Sequence, residues 1–213
     1  MSAPDARSDA SSAVHFYCPA DGHRLPHDPF KAIVAPRMIG WISSRNEAGQ
    51  LNLAPYSFFG AFASNPPVIG FSSEGYKDTI RNIEATGEFV WNMASLTLAE
   101  KMNATAATVP SEVDEFALAG LTPVAGRSVA VPHVAESPAA LECKVMKVIR
   151  LETVDGQPMP NWLVLGQVVG VHIRAEFLKD GLFDTFLAQP IMRAGYRADY
   201  AQTGDRFEMI RPA

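Results

Sequence analysis

Cysteine is scarce in this chain: only Cys18 and Cys143 occur, far apart along it. That spacing gives no disulfide framework, and a cytoplasmic location is the expectation. Runs of lysine and arginine are missing too, and the formal net charge is -5. A nucleic-acid surface needs a basic stripe to neutralise phosphates, so nucleic acid is excluded as a partner. Long apolar stretches are also lacking. The most apolar late segment, Trp162 to Ile173, is short and interrupted by Gln167, too little to span a bilayer. No membrane partner is expected. The opening MSAPDARSDASSAV has no apolar centre of the kind a secretion signal needs, and reads as a disordered arm over residues 1–14.

The common catalytic signatures are absent as well. There is no GxGxxG turn, no GxSxG elbow, no HExxH and no P-loop pattern. Cys18, His23 and His27, with Asp21 and Asp28 close by, resemble metal ligands only superficially. Pro26 keeps the two histidines from sharing a helix face and no second cluster follows, so no metal site is assigned. His133 follows Pro132 in a loop-like segment and His172 lies in an extended one; both read as structural or exposed. No side chain is assigned acid–base or nucleophilic work.

What is present fits one globular domain over residues 15–213, since 47% of the chain is hydrophobic and 19% charged. Phe30 to Val34 and Met38 to Ser43 are short apolar runs split by Pro36. Asn46-Glu-Ala-Gly49 supplies turn chemistry before Leu51 to Tyr56, which predicts a hairpin. Asn65-Pro66-Pro67 interrupts the chain ahead of a strand at Val68 to Phe71. A helix is expected from the N-cap Asp78 to the stop at Gly87, with Ile80 and Ile83 on one face. Phe89 to Met93 returns to strand, and Leu96 to Val109 reads as a second helix closed by Pro110, with a helical turn to follow in Ser111 to Leu118. Ala139 to Glu152 and Trp162 to Arg174 are long β-rich segments. From Gly181 the tail alternates short apolar pieces with Gly and Pro, and packs across the barrel or onto a partner. Many short strands with few helices predict an antiparallel barrel with helical insertions rather than a doubly wound parallel sheet.

Two constellations carry chemistry. Ser72 and Ser73 end a strand, and Lys77-Asp78-Thr79 opens the first helix. Free N–H groups and the positive dipole end of that helix attract an anion, with Lys77 as the point charge and the hydroxyls as donors. The plainer reading is capping by Asp78 with Lys77 solvated. In Ser57-Phe58-Phe59-Gly60-Ala61-Phe62-Ala63-Ser64-Asn65, small residues let the backbone approach a flat ring. Its N–H and C=O groups, Phe58 included, can pair with the ring's polar edge, while the Phe58, Phe59 and Phe62 side chains pack in the core. Trp41 and Trp91 are read as core residues. Together these segments suit a large, flat, phosphate-bearing ligand, flavin mononucleotide (FMN) first among them.

At these residues the chain resembles the flavin reductase-like, FMN-binding split-barrel family. The likeness runs through PRMIGWISS, NLAPYSFFGAFASNPPVIGFSS, KDTIRNIEATGEFVWN, DEFALAGL, ESPAALECK, LVLGQVVGVHI and MRAGYRADYA, in order over about residues 23 to 212. The family often has Pro where this chain has Met38 and an aliphatic residue at Trp91. The resemblance implies a mainly β fold, a six-stranded Greek-key split β-barrel with a few helical insertions. It further implies a homodimer holding one FMN per subunit near the dimer interface. Carried over by position, Ser57, Ser64 and Asn65 address the isoalloxazine, while Ser72, Lys77 and Thr79 hold the phosphate. Asn52 faces the ribityl chain, and Arg193 reaches the flavin from its own or the partner subunit. The activity implied is hydride uptake from NADH or NADPH as a transient reductant, the cofactor carrying the reaction. Electrons then pass to oxygen, to free flavin, or to a partner oxidase or monooxygenase. Two alternatives stay open: a flavin-binding electron carrier or binding module without turnover, and a split barrel that takes another planar ligand such as haem.

Overall fold

The computed structural model describes residues 14–212. The arm expected over residues 1–14 falls, up to residue 13, outside them. The elements that position the site are β1 (Arg37–Met38), β2 (Gly40–Arg45), β3 (Leu51–Tyr56), β4 (Phe59–Ser64) and β5 (Pro67–Glu74). After them come α2 (Asp78–Thr86), preceded far upstream by the one-turn α1 (Phe30–Ile33), then β6 (Glu88–Asn92), α3 (Ala99–Ala104) and α4 (Glu115–Leu118). The two longest strands, β7 (Ala139–Glu152) and β8 (Pro158–Ile173), precede the short β9 (Ile191–Arg193) and β10 (Tyr200–Gln202).

Seven strands form one antiparallel sheet in the order β3-β2-β6-β7-β8-β5-β4. The sheet curls until β3 meets β5, where the Tyr56 and Phe71 rings lie 4.7 Å apart. This is the mainly β split barrel that was expected, with β4 as an added edge strand. The β2–β3 hairpin turns where the sequence places it. Asn46 accepts from Gly49 N–H through its carbonyl and from Gln50 N–H through its side chain, and Gly49 takes a φ of 86° that a side chain would disfavour.

Apolar side chains alternating along the strands fill the barrel: Ile42, Phe71, Phe89 and Val164 are each at most 1% exposed, and α2 adds Ile80 and Ile83. A second cluster, around Trp41, Leu53, Met102 and Phe116, packs α3 and α4 against the outer face of β2 and β3. Trp41 also donates its indole N–H to the Thr105 hydroxyl at 3.0 Å, which ties the end of α3 down.

Several local expectations are corrected. The apolar run at Phe30 to Val34 forms the turn α1, because the Asp28 side chain accepts from Phe30 N–H at 2.9 Å and starts it. Small residues read as a ring-side loop instead make β4, pairing on β5 from Phe59↔Phe71 to Ser64↔Pro67. Phe59 stacks on Trp91 at 5.4 Å, but Phe62 is 60% exposed and is not a core residue. The cap position of α2 is Lys77, and Asp78 is its first residue, paired with Arg81. The helix expected to reach Val109 ends at Ala104, where the Thr105 hydroxyl turns back to the Met102 carbonyl. The tail closes on its own subunit, with β9 laid beside β1 in the register Arg37↔Arg193.

Candidate functional site

Two clefts border β3: one runs along it from Asn52 to Tyr56, and the other takes in Ser57 just past its end. The first, about 300 Å³, is lined by Asn52, Tyr56, Lys77, Thr79, Arg81 and Glu115, among others. No side chain caps the N-terminus of α2, so its first N–H groups remain available, beside the exposed Lys77. Arg81 adds a second cation one turn on, steadied by Asp78. The wall is built from polar side chains that hold one another: the Asn52 amide donates to the Thr79 hydroxyl at 2.8 Å and to Ser44 at 3.3 Å. Glu115 is buried and accepts from Leu53 N–H at 3.0 Å; burial raises its carboxyl above the ordinary value.

Tyr56 stands apart. It is 7% exposed, and its hydroxyl is buried beside the hydroxyls of Thr79 and Ser73 without a hydrogen bond of good geometry. Burial pushes the phenol up to about 12, so it stays a neutral donor. A buried donor without an acceptor costs about 1–3 kcal/mol, and an oxyanion in the cleft would remove that cost. The cleft therefore fits a phosphate: the N-terminus of a nine-residue helix and two cations, Lys77 and Arg81, line it.

The second cleft, about 490 Å³, is lined by His27, Asp28, Lys31, Arg37, Ser57, Arg193 and Arg197, among others. Arg37 organises it. Its Nε donates to the Ser57 carbonyl at 3.2 Å and its Nη1 to the carbonyls of Lys31 and Val34, so one buried guanidinium joins α1 to the β3–β4 corner. Burial, and then the charge of Arg193, lower its pKa. Phe58 lies beneath this cation, 5.7 Å from the Arg37 guanidinium and 6.5 Å from the Phe30 ring.

The structure thus brings Asn52, Lys77 and Thr79 together in one cleft and Ser57 and Arg193 together in the other, with Tyr56 and Ser57 adjacent in the chain between them. Other candidates line neither. Ser73 is fully buried and gives its hydroxyl to the Gly75 carbonyl at 3.0 Å. Ser72 is half-buried on β5, its N–H spent on Phe58. Ser64 and Asn65 are exposed at the far end of β4, and the Phe58 ring packs under Arg37. Sequence reasoning missed Tyr56, Arg81, Arg37, Lys31 and Arg197. Arg81 carried a usable signal, since i and i+4 share a helix face with Lys77 at the cap. His133 and His172 stack 4.2 Å apart outside both clefts, where the His172 ring binds the buried Glu142.

Against known proteins, the flavin reductase like domain family matches residues 34–186. Nitrilotriacetate monooxygenase component B from Bacillus cereus is 30% identical, with 98% of each chain covered and a TM-score of 0.80. The 2-nitrobenzoate 2-nitroreductase of Pseudomonas fluorescens is 29% identical over 86% of this chain and 88% of its own, with a TM-score of 0.76. A protein from Shewanella frigidimarina described as a flavin reductase with split barrel domain is 22% identical, covers 86% and 90%, and has a TM-score of 0.75; it speaks for the fold alone.

Proposed function

The chain belongs to the flavin reductase like family, and from that premise we propose that this flavin-binding oxidoreductase uses FMN, reduced by NADH or NADPH, to pass electrons to an acceptor. One observation carries the choice of FMN: the N-terminus of α2 has no side-chain cap and, with Lys77 beside it, offers an anion site at the edge of the first cleft. When bound, the flavin supplies the redox chemistry, taking up hydride and giving up electrons. The chain's own residues bind and orient. Lys77 and the first N–H groups of α2 hold the phosphate, with Arg81 behind them and Tyr56 donating from the wall. The Asn52–Thr79 bond keeps that wall in place beneath the ribityl chain. Arg37 fixes the backbone of Ser57 at the ring end, where Arg193 stands. His133 and His172 line neither cleft, so turnover rests on proximity and orientation rather than on proton transfer by these two residues.

An anaerobic absorbance scan tests the reading. Purified protein mixed with FMN is expected to retain the flavin through gel filtration and to lose its visible absorbance on adding NADH or NADPH. Protein that retains no FMN sinks the proposal. Flavin that is held but bleached by neither nucleotide selects the electron-carrier reading instead.

The same reading includes assembly and acceptor. Likeness to a monooxygenase component B supports delivery of electrons to a partner oxidase or monooxygenase, and likeness to a nitroreductase supports direct reduction of a small acceptor. No helix among the described residues is long and apolar enough to cross a membrane, which is compatible with a cytoplasmic site of action. Homodimerisation has its own support: Phe62, Leu182 and Leu187 are 60%, 73% and 54% exposed, more apolar surface than a lone barrel has use for. Sedimentation is expected to give twice the chain mass. A monomer that binds FMN normally would overturn this.

A further inference from the structure

Lys31, Arg37, Arg193 and Arg197 line the second cleft with Asp28 as their only carboxylate, in a chain whose net charge is -5. Arg37 is 8% exposed, and its hydrogen bonds all go to neutral carbonyls, those of Lys31, Val34 and Ser57. Arg193 faces it across the β1–β9 pair, gives one bond to the Arg197 carbonyl at 3.0 Å and lies 4.6 Å over the Tyr200 ring. Among the described residues none of these four cations pairs with a carboxylate. Asp28 turns its Oδ1 to the Phe30 N–H. A buried guanidinium beside a second one, with neither in an ion pair, is costly, and an oxyanion seated between them would offset both the repulsion and the lost solvation.

The cleft takes in Ser57, next in the chain after Tyr56 of the phosphate cleft, and in the function proposed above Ser57 stands at the ring end of the flavin site. We propose that this cleft seats the anionic group, a carboxylate or a phosphate oxyanion, of the molecule that exchanges electrons with the flavin, a proposal that rests on the function given above. The planar forks of Arg37 and Arg193 suit bidentate capture of such a group. Lys31 and Arg197, both exposed, draw it to the mouth.

The test uses flavin-loaded protein, with loading followed by absorbance so that a failure to bind flavin is seen separately. Bound FMN also keeps the probes out of the phosphate cleft. Inorganic pyrophosphate and benzoate are titrated by calorimetry into the parent and into a Lys31→Ala/Arg197→Ala double variant. Because both side chains are exposed, the variant should melt as the parent does. The parent is expected to bind at least one probe, and the variant to bind it at least tenfold more weakly. A parent that binds neither, or a variant that binds equally, overturns the proposal. Steady-state kinetics then separate the two sources of the anion. A raised KM for NADH assigns the subsite to the phosphates of the donor. A raised KM for a quinone carboxylate, with that for its methyl ester unchanged, assigns it to the acceptor. If neither KM moves, the cleft does not serve electron exchange and the proposal fails.

Discussion

Replacing Glu142 with alanine is expected to destabilise the fold by several kcal/mol, since each buried donor left without its acceptor costs roughly 1–3 kcal/mol. Glu142 is fully buried, and its carboxylate accepts from the N–H groups of Arg127 at 2.8 Å, Ser128 at 2.5 Å and Val129 at 2.9 Å, as well as binding the His172 ring. Without it, three consecutive backbone donors and an imidazole lose their acceptor at once. Burial alone would push this carboxyl up. The Arg127 N–H, the His172 ring and the N–H groups of Ser128 and Val129 outweigh burial and hold it at about 2, below the ordinary 4.5. Because the folded value is depressed, the stabilisation is complete at neutral pH and is lost as pH falls from about 4.5 toward 2. Urea titrations at pH 7 and at pH 3 provide the check. The parent should weaken toward the variant at the lower pH, and a loss under about 1 kcal/mol at pH 7 would mean that the segment from residue 127 to 129 re-pairs elsewhere.

That network could not be read from the sequence. Glu142 sits in a long strand where alternation assigns every second residue inward, and nothing local says that a carboxylate is among them. Its partners come from residues 127 to 129 and from His172 on β8, brought together only by the barrel. The hairpin at Asn46 to Gly49 and the helix stop at Gly87 were legible because both depend on a few neighbouring residues; Gly87 adopts a φ of 71° and bonds back to Ile83. The same holds for Lys77 at the head of α2. By contrast, nothing in the sequence marks Arg37 as a buried cation. Its meeting with Arg193 follows from a pairing between segments far apart in the chain. Tyr56 was passed over as one more aromatic residue, since only the folded cleft reveals that its hydroxyl lacks a partner. The misreading of β4 had a local cause. Gly and Ala signal turns and close approach, and here they lie within a strand paired on β5.

Lys77→Ala should weaken FMN binding about ten- to a hundredfold while affecting riboflavin, which lacks the phosphate, much less. The range follows from roughly 1.5–3 kcal/mol for a hydrogen bond to a charged group. Lys77 is exposed and has no ion-pair partner among the described residues, so removing its ammonium disturbs no internal contact of the barrel. Its neighbours make the effect selective. Arg81 is drawn toward Asp78 and cannot fully replace the lost charge, whereas the α2 N–H groups and Tyr56 remain to hold part of the phosphate. Tyr56→Phe then provides an independent probe, because it removes the unpartnered hydroxyl without opening a cavity. It should weaken FMN and leave riboflavin unchanged, with stability equal to or above that of the parent since a buried polar atom disappears. Fluorescence titration of both ligands against both variants measures this directly. Equal losses for FMN and riboflavin in the Lys77 variant would remove the phosphate from the α2 cleft. Unchanged FMN affinity in Tyr56→Phe would show that the hydroxyl does not meet the ligand.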